Sequence, residues 1–401
     1  MSNLLVKIGK EELKIEKEIF CALLNFPSIK HYKSYEKAIS TNEISLFDLK
    51  DLARRAYVPY PLFFASQEKV DKQIKDQNKN IFDKLPTKSE MQIGFRGNTE
   101  KEDIELIIKD LARKQEFLKK RVLTIEKDNI FVGSVSKMMA DRLPIEGIAK
   151  NIRGYFGIDL NDMRKLPKAG VVEYLCKKIE EKNILISMSS HDYMPQNLNK
   201  ELELSGMCVK DKKFPYIFIN TRDGDDKPLI LETDGRKIFT ILSMLVCIGM
   251  NKFILNTKSG KQKDRSLRIV FAIDGEILIP ANDLNGVIVR NIDDLKKYAT
   301  SFKVTPSMLL LRLRDLRLIE RTKANEYKSI LSDELKSSNP PIKHQPTQTN
   351  GYAKYNGEKL SRQIIRAHNS GKITFDEVKN ILFRRGKMDT GLYQEYSRKF
   401  N

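Results

Sequence analysis

Apolar positions along this chain change their spacing several times, and each change predicts a different element. Between residues 10 and 66 they fall in short helical groups. The clearest is ISLFDLKDLARRAYVPYPLFFAS, where Leu49, Leu52, Ala53 and Ala56 recur at i, i+3, i+4 and i+7 and so share one helix face. Ser45 is placed to cap that helix, with Asp48 three residues on in a capping box, and Pro59 and Pro61 stop it. Residues 67–90 are polar and Lys-rich and read as a connector. EKEDIELIIKDLARKQEFLKKRVL, Glu100 to Leu123, predicts a long amphipathic helix, and MADRLPIEGIAKNIRGYFGI and AGVVEYLCKKIEEKN predict further helices.

The spacing then shortens. ILISM, GMCVK and PYIFIN are brief β-rich runs separated by Pro, Gly and Asn, which predicts a small sheet. RKIFTILSMLVCIGM, Arg236 to Met250, is the most apolar run and reads as a helix interior, with more strand-like sequence after it as far as GEILIPANDL. LKKYATSFKVTPSMLLLRLRDLRLI predicts two helices joined by a tight turn, with Thr305 capping the second and Pro306 in its first turn. Residues 332–357 hold almost no apolar side chains and three prolines, so they read as a linker. A helical pair, EKLSRQIIRAHNSG and TFDEVKNILFRRG, closes the pattern. The expected class is α+β, mostly helical, with one small sheet.

Composition narrows the setting. The 401 residues suffice for two or three domains and a core of normal size. The net charge of +19 is spread along the chain, which suits a polyanionic partner and equally suits a Lys-rich composition with no such partner. Cys21, Cys176, Cys208 and Cys247 form no CxxC pair, arguing against a zinc ribbon or disulfide framework and for a reducing, cytoplasmic setting. The first residues have no apolar h-region, and Ile238 to Met250 is too short to span a bilayer, so neither signal peptide nor membrane association is expected.

Six segments, in order, resemble the ImmA/IrrE-type metallopeptidase family with an amino-terminal Xre-type helix-turn-helix. They are TNEISLFDLKDLARRAYVPYPLFFAS, IGFRGNTEKEDIELIIKDLARKQEFLKK, GVVEYLCKKIEEKNILISM, PYIFINTRDGDDKPLILETDGRKIFTILS, FKVTPSMLLLRLRDLRLI and GEKLSRQIIRAHNSGKITFDEVKNIL. The resemblance covers nearly the whole chain. It implies an Xre-like helical module over 1–75, a helical connector over 76–130 and a zincin-like domain with a small sheet over 131–331. A linker over 332–357 and a carboxy-terminal helical module over 358–401 complete the implied plan. Active members carry HExxH, whose two His at i and i+4 bind one Zn²⁺ while Glu polarises the metal-bound water. Anchored on Phe239-Thr240, those positions are Ser243, Met244 and Cys247 here, and counting back from Pro280 puts the third ligand at Ile269, with Asp264 out of register. Ser is a poor ligand and Met cannot act as a base, so neither metal nor cofactor is expected.

Other chemistry is sparse. His31, His191, His344 and His368 are scattered, Cys247 sits between Val246 and Ile248, Ser243 lacks a glycine elbow, and TRDGDD lacks the terminal Glu of a calcium loop. For nucleic acid, Lys30, His31, Lys33 and Ser34 occupy the recognition-helix position of the amino-terminal module. Arg312, Arg314 and Arg317 offer a second basic surface, with Arg317 where the family often has Gly, and Arg362, Arg366, Arg384 and Arg385 a third. The expected function is a non-catalytic regulator of a mobile-element, phage or toxin–antitoxin system. It would bind a protein partner, a toxin, a repressor or a phage protein, through a pseudo-peptidase scaffold. The alternatives are a DNA-binding transcriptional regulator and a metallopeptidase with relocated ligands.

Overall fold

The computed structural model describes residues 3–82, 102–123, 127–190, 192–196, 198, 204–221, 233–252, 255–257, 265–337, 346–383 and 389–401. Strands β1 (Asn3–Ile8) and β2 (Glu11–Glu16) form an antiparallel hairpin with Ile8 opposite Glu11. The two-residue turn between them starts at Gly9, whose φ of +61° suits a glycine. Helices α1 (Lys17–Leu23), α2 (Pro27–Lys30) and α3 (Lys33–Thr41) follow, and β3 (Glu43–Ser45) then joins β1 in parallel, giving the order β2-β1-β3. The amino-terminal segment is therefore not helices alone. Glu11 to Lys14 of β2 are all exposed and only Ile15 is buried, so the strand carries no period-two signal and is held by backbone pairing.

The predicted helix at Ser45 is present as α4 (Leu46–Arg55): the Ser45 hydroxyl accepts from Asp48 N at 3.0 Å and donates to the Asp48 carboxylate at 2.7 Å. Leu49, Leu52, Ala53 and Ala56 are all at most 1% exposed. A 3₁₀ turn (Tyr60–Phe64) and α5 (Gln67–Phe82) complete this unit.

Helix α6 (Glu102–Phe117) is a buried axle rather than an amphipathic connector. Ile104, Leu106, Ile107, Ile108, Leu111, Lys114 and Gln115 are at most 1% exposed, and its charges are satisfied locally. Asp110 pairs with Lys114 and Arg113, each at 2.9 Å, and accepts from the Tyr57 and Tyr355 hydroxyls, each at 2.8 Å. Burial alone would raise the Asp110 carboxyl, but Lys114 and Arg113 hold it well below the usual carboxylate range. One carboxylate thus ties together three parts of the chain. Periodicity gives the helix but not its burial, because i,i+4 charge pairs look like a solvated face.

The central layer runs α7 (Ser134–Ala140), α8 (Ile145–Phe156), α9 (Leu160–Lys165), α10 (Lys168–Glu181), β4 (Leu185–Met188), β5 (Leu204–Val209), β6 (Tyr216–Ile219), α11 (Asp234–Gly249) and β7 (Leu255–Thr257). The sheet order is β4-β6-β5-β7, parallel between β4 and β6 and antiparallel elsewhere. Next come α12 (Arg265–Leu278), α13 (Ile292–Ser301), α14 (Pro306–Asp315) and α15 (Arg321–Ser337). As predicted, Thr305 caps α14, accepting from Met308 N at 3.2 Å. Arg317 has φ +59°, a left-handed conformation that glycine adopts at less cost.

Two expectations fail here. The strand-like sequence before GEILIPANDL is largely helix α12, because Val270, Ile273, Asp274 and Ile277 form a helical stripe packed on α8 and α11. β-Branched content suggested a strand, and tertiary packing overrode it. The 332–357 stretch is not a linker among the described residues. Helix α15 runs to Ser337, and α16 (Gln348–Asn356) buries Tyr352, Tyr355 and Asn356. Tyrosine supplies large apolar area with a polar tip, so a segment poor in aliphatics still packs.

Helices α17 (Glu358–Asn369), α18 (Phe375–Leu382) and α19 (Thr390–Phe400) pack with α16 and α6 over one sheet face, against Leu185, Met207, Tyr216 and Phe218. The opposite face, with Ile186, Cys208, Ile217 and Ile219, meets α11 in the largest core. Both faces are covered, which explains continuous apolar strands such as YIFI.

Candidate functional site

Helix α11 carries Ser243, Met244 and Cys247, the positions set against HExxH on sequence, and all three are buried. Ser243 and Met244 are 1% exposed and Cys247 is fully buried. Gly206 of β5 lets the helix approach the sheet closely, since a Cβ there would lie 2.8 Å from Thr240 Cγ2 and 3.0 Å from Phe218 O. The Cys208 thiol donates to Met244 O at 3.3 Å, so this face of α11 packs on the strand.

The Ser243 hydroxyl donates to Asp274 Oδ2 at 2.5 Å. Asp274 is fully buried, and desolvation pushes its carboxyl well above the ordinary range although the Ser243 bond works the other way. Its other oxygen, Oδ1, has no hydrogen-bond partner. The acid facing Ser243 is Asp274, whereas Ile269, the position reached by counting back from Pro280, lies half-buried earlier on α12. Gapless counting missed it because the segment is a helix. The available signal was one acid in phase with Val270, Ile273 and Ile277. Among the described residues no three His, Cys, Asp or Glu side chains come together as a metal-binding group.

Open space lies elsewhere. A cavity of about 530 Å³ is bounded by α10, β4, the start of α11, α16 and α19. Glu180 of α10, 5% exposed, lines it and closes the free edge of β4. Its carboxylate accepts from Ile186 N at 3.4 Å and from Lys359 N, in the first turn of α17, at 3.2 Å. Gly357 has φ +77°, and a Cβ there would collide with Ile186 O and the Glu180 carboxylate. Burial pushes the Glu180 carboxyl up to about 8, although the backbone N–H groups oppose that rise, so it is protonated at neutral pH.

Lys354 of α16 also lines the cavity, half-buried, and donates to Thr221 Oγ1 at 2.7 Å. Burial lowers its ammonium to about 7. Cys176 lines the same wall, but burial pushes its thiol up, away from the reactive thiolate. Neither Glu180 nor Lys354 was singled out from sequence. Glu180 falls in phase with Val172 and Cys176 on α10, and a carboxyl on the buried phase of a helix was the signal available.

The predicted basic surfaces divide. Lys30, His31 and Lys33 are exposed around the start of α3, with Ser34 half-buried behind them. Arg312 is not a surface residue: 6% exposed, it donates to Ile279 O at 3.1 Å and pairs with Glu276. The leucine stripe of α14 left it reading as solvated, but α12 passes over it. Arg314 is exposed and pairs with Asp315 at 3.1 Å. Arg362 pairs with Glu358 at 2.6 Å and Arg366 is exposed. His368 Nδ1 meets the Tyr393 hydroxyl at 2.5 Å, a local contact between α17 and α19. His191, His344, Asp264, Arg384, Arg385 and residues 222–226 of TRDGDD lie outside the described residues.

Comparison of the chain with protein-family models, curated proteins and solved structures finds no match in any of the three. No helix among the described residues is long and apolar enough to cross a membrane.

Proposed function

We propose that this protein is a non-catalytic regulator that binds a protein partner stoichiometrically, in the mobile-element, phage or toxin–antitoxin type of system implied by the ImmA/IrrE resemblance. The observation that supports this reading is the burial of α11. A catalytic helix must present reacting groups to substrate, whereas Ser243, Met244 and Cys247 are at most 1% exposed and Ser243 is engaged by Asp274. Helix α11 serves the core.

A surface suited to a protein partner lies on the amino-terminal unit. Phe47 is 80% exposed, Lys50 one turn along α4 sits 4.7 Å from the ring centroid of Tyr60, and Tyr60 and Phe64 are 41% and 40% exposed. Exposed aromatics on two neighbouring elements, as here, are characteristic of interaction sites. The test is purification of the tagged chain at low and high salt with mass spectrometry of what accompanies it, alongside metal analysis. A partner retained at high salt and lost on Phe47→Asp supports the reading. Stoichiometric zinc, or cleavage of the co-expressed partner, overturns it.

A second reading is DNA binding through α3, favoured by the exposure of Lys30, His31 and Lys33. Its signature is an affinity for duplex DNA that falls steeply with salt, with a shallower slope in Lys30→Ala/Lys33→Ala. A salt-independent interaction with the DNA sample, or a slope unchanged in that variant, removes it.

A further inference from the structure

We propose that the cavity between α10, β4, α16 and α19 is a binding site for a small organic anion, a carboxylate carried on an apolar body. Its volume of about 530 Å³ falls in the usual range for small-molecule sites, roughly 300–1,000 Å³. Ile186, Met188, Val172 and Phe400 give it an apolar lining. Besides Lys237, which pairs with Asp234, three lysines reach it from three helices: Lys354 from inside, and the exposed Lys177 and Lys399 at the rim.

The lining acids do not cancel them. Asp234 is held by Lys237 at 3.0 Å and Glu358 by Arg362 at 2.6 Å. Glu180 commits both oxygens to backbone N–H groups, and burial keeps it protonated at neutral pH. Only the exposed Glu173 remains as a lining carboxylate without such an engagement among the described residues. The site therefore joins lysines at its rim and inner wall to an apolar lining, the combination that an amphipathic acid requires. An organic cation would meet the Lys177 and Lys399 ammonium groups at the rim. The proposal does not depend on the regulatory reading, because ligand binding is measured on the purified chain alone.

The test is isothermal titration of the full chain with octanoate, octanol and octylammonium. Octanoate is expected to bind at one site, about ten-fold or more tighter than either analogue. Lys354→Met should weaken octanoate by about ten-fold or more, and Lys177→Ala/Lys399→Ala by roughly two- to five-fold. The rim residues are exposed, so that double variant remains informative if Lys354→Met does not fold. Absence of saturable octanoate binding, octanol binding as tightly as octanoate, or an affinity unchanged in the rim variant each overturns the proposal.

Discussion

Replacing Glu180 by Gln should change how stability depends on pH, and the size of the change follows from its surroundings. The carboxyl is 5% exposed and burial raises it from an ordinary 4.5 to about 8. Between those values the folded state holds a proton that the unfolded chain has released. Stability from this group is therefore fully present below about pH 4.5 and is lost as pH rises through about 8. A tenfold change in proton affinity corresponds to about 1.4 kcal/mol, so the loss between pH 5 and pH 9 is on the order of 4 kcal/mol. Gln cannot ionise, but its amide serves only one of the two backbone N–H donors, at Ile186 and Lys359, which costs about 1 kcal/mol. The variant should be slightly less stable than the parent at pH 5 and more stable by roughly 3 kcal/mol at pH 9. Urea unfolding of both proteins at the two pH values reads this directly, and Lys354, common to both, cancels in the difference. Parallel pH profiles for parent and variant would refute the claim that Glu180 is protonated in the fold.

Four further substitutions probe the same architecture. Gly357→Ala should cost well over 1 kcal/mol, because its φ of +77° is compounded by a clash with Ile186 O, whereas Gly371→Ala, at φ +72° with nothing within 4 Å, should cost only about 1 kcal/mol; thermal melts of the pair separate packing from backbone conformation. Arg312→Ala should destabilise by roughly 3 kcal/mol by leaving Glu276 buried and unpaired, with no effect on the salt slope of any DNA binding. Ser243→Ala leaves the Asp274 carboxyl without its hydroxyl partner and should cost about 1–3 kcal/mol in urea unfolding while partner binding is unchanged. Loss of partner binding in a folded Ser243→Ala protein would contradict a purely structural role for α11.

Local signals were legible wherever the deciding contact lies within a few residues. The caps at Ser45 and Thr305 need only a hydroxyl and an N–H three residues on. The stripe at Leu49, Leu52, Ala53 and Ala56 follows from helical geometry, and runs such as ILISM and PYIFIN are strands because sheet faces covered on both sides are apolar throughout.

What only the tertiary structure decided were matters of distant partners. Helix α12 was written in strand-forming residues and became a helix because α8 and α11 receive its Val270–Ile277 stripe. The segment that read as a linker became α16 because Tyr355 reaches Asp110, 245 residues away in sequence. Arg312 read as surface until Glu276 was brought to it, and the acid opposite Ser243 proved to be Asp274. Glu180 and Lys354 carry no motif at all, and their proton affinities are set by burial under helices from the other end of the chain. Sequence determines which side chains a local turn can satisfy. Which charges lose their water, and which groups share a cavity, is decided only when remote segments pack.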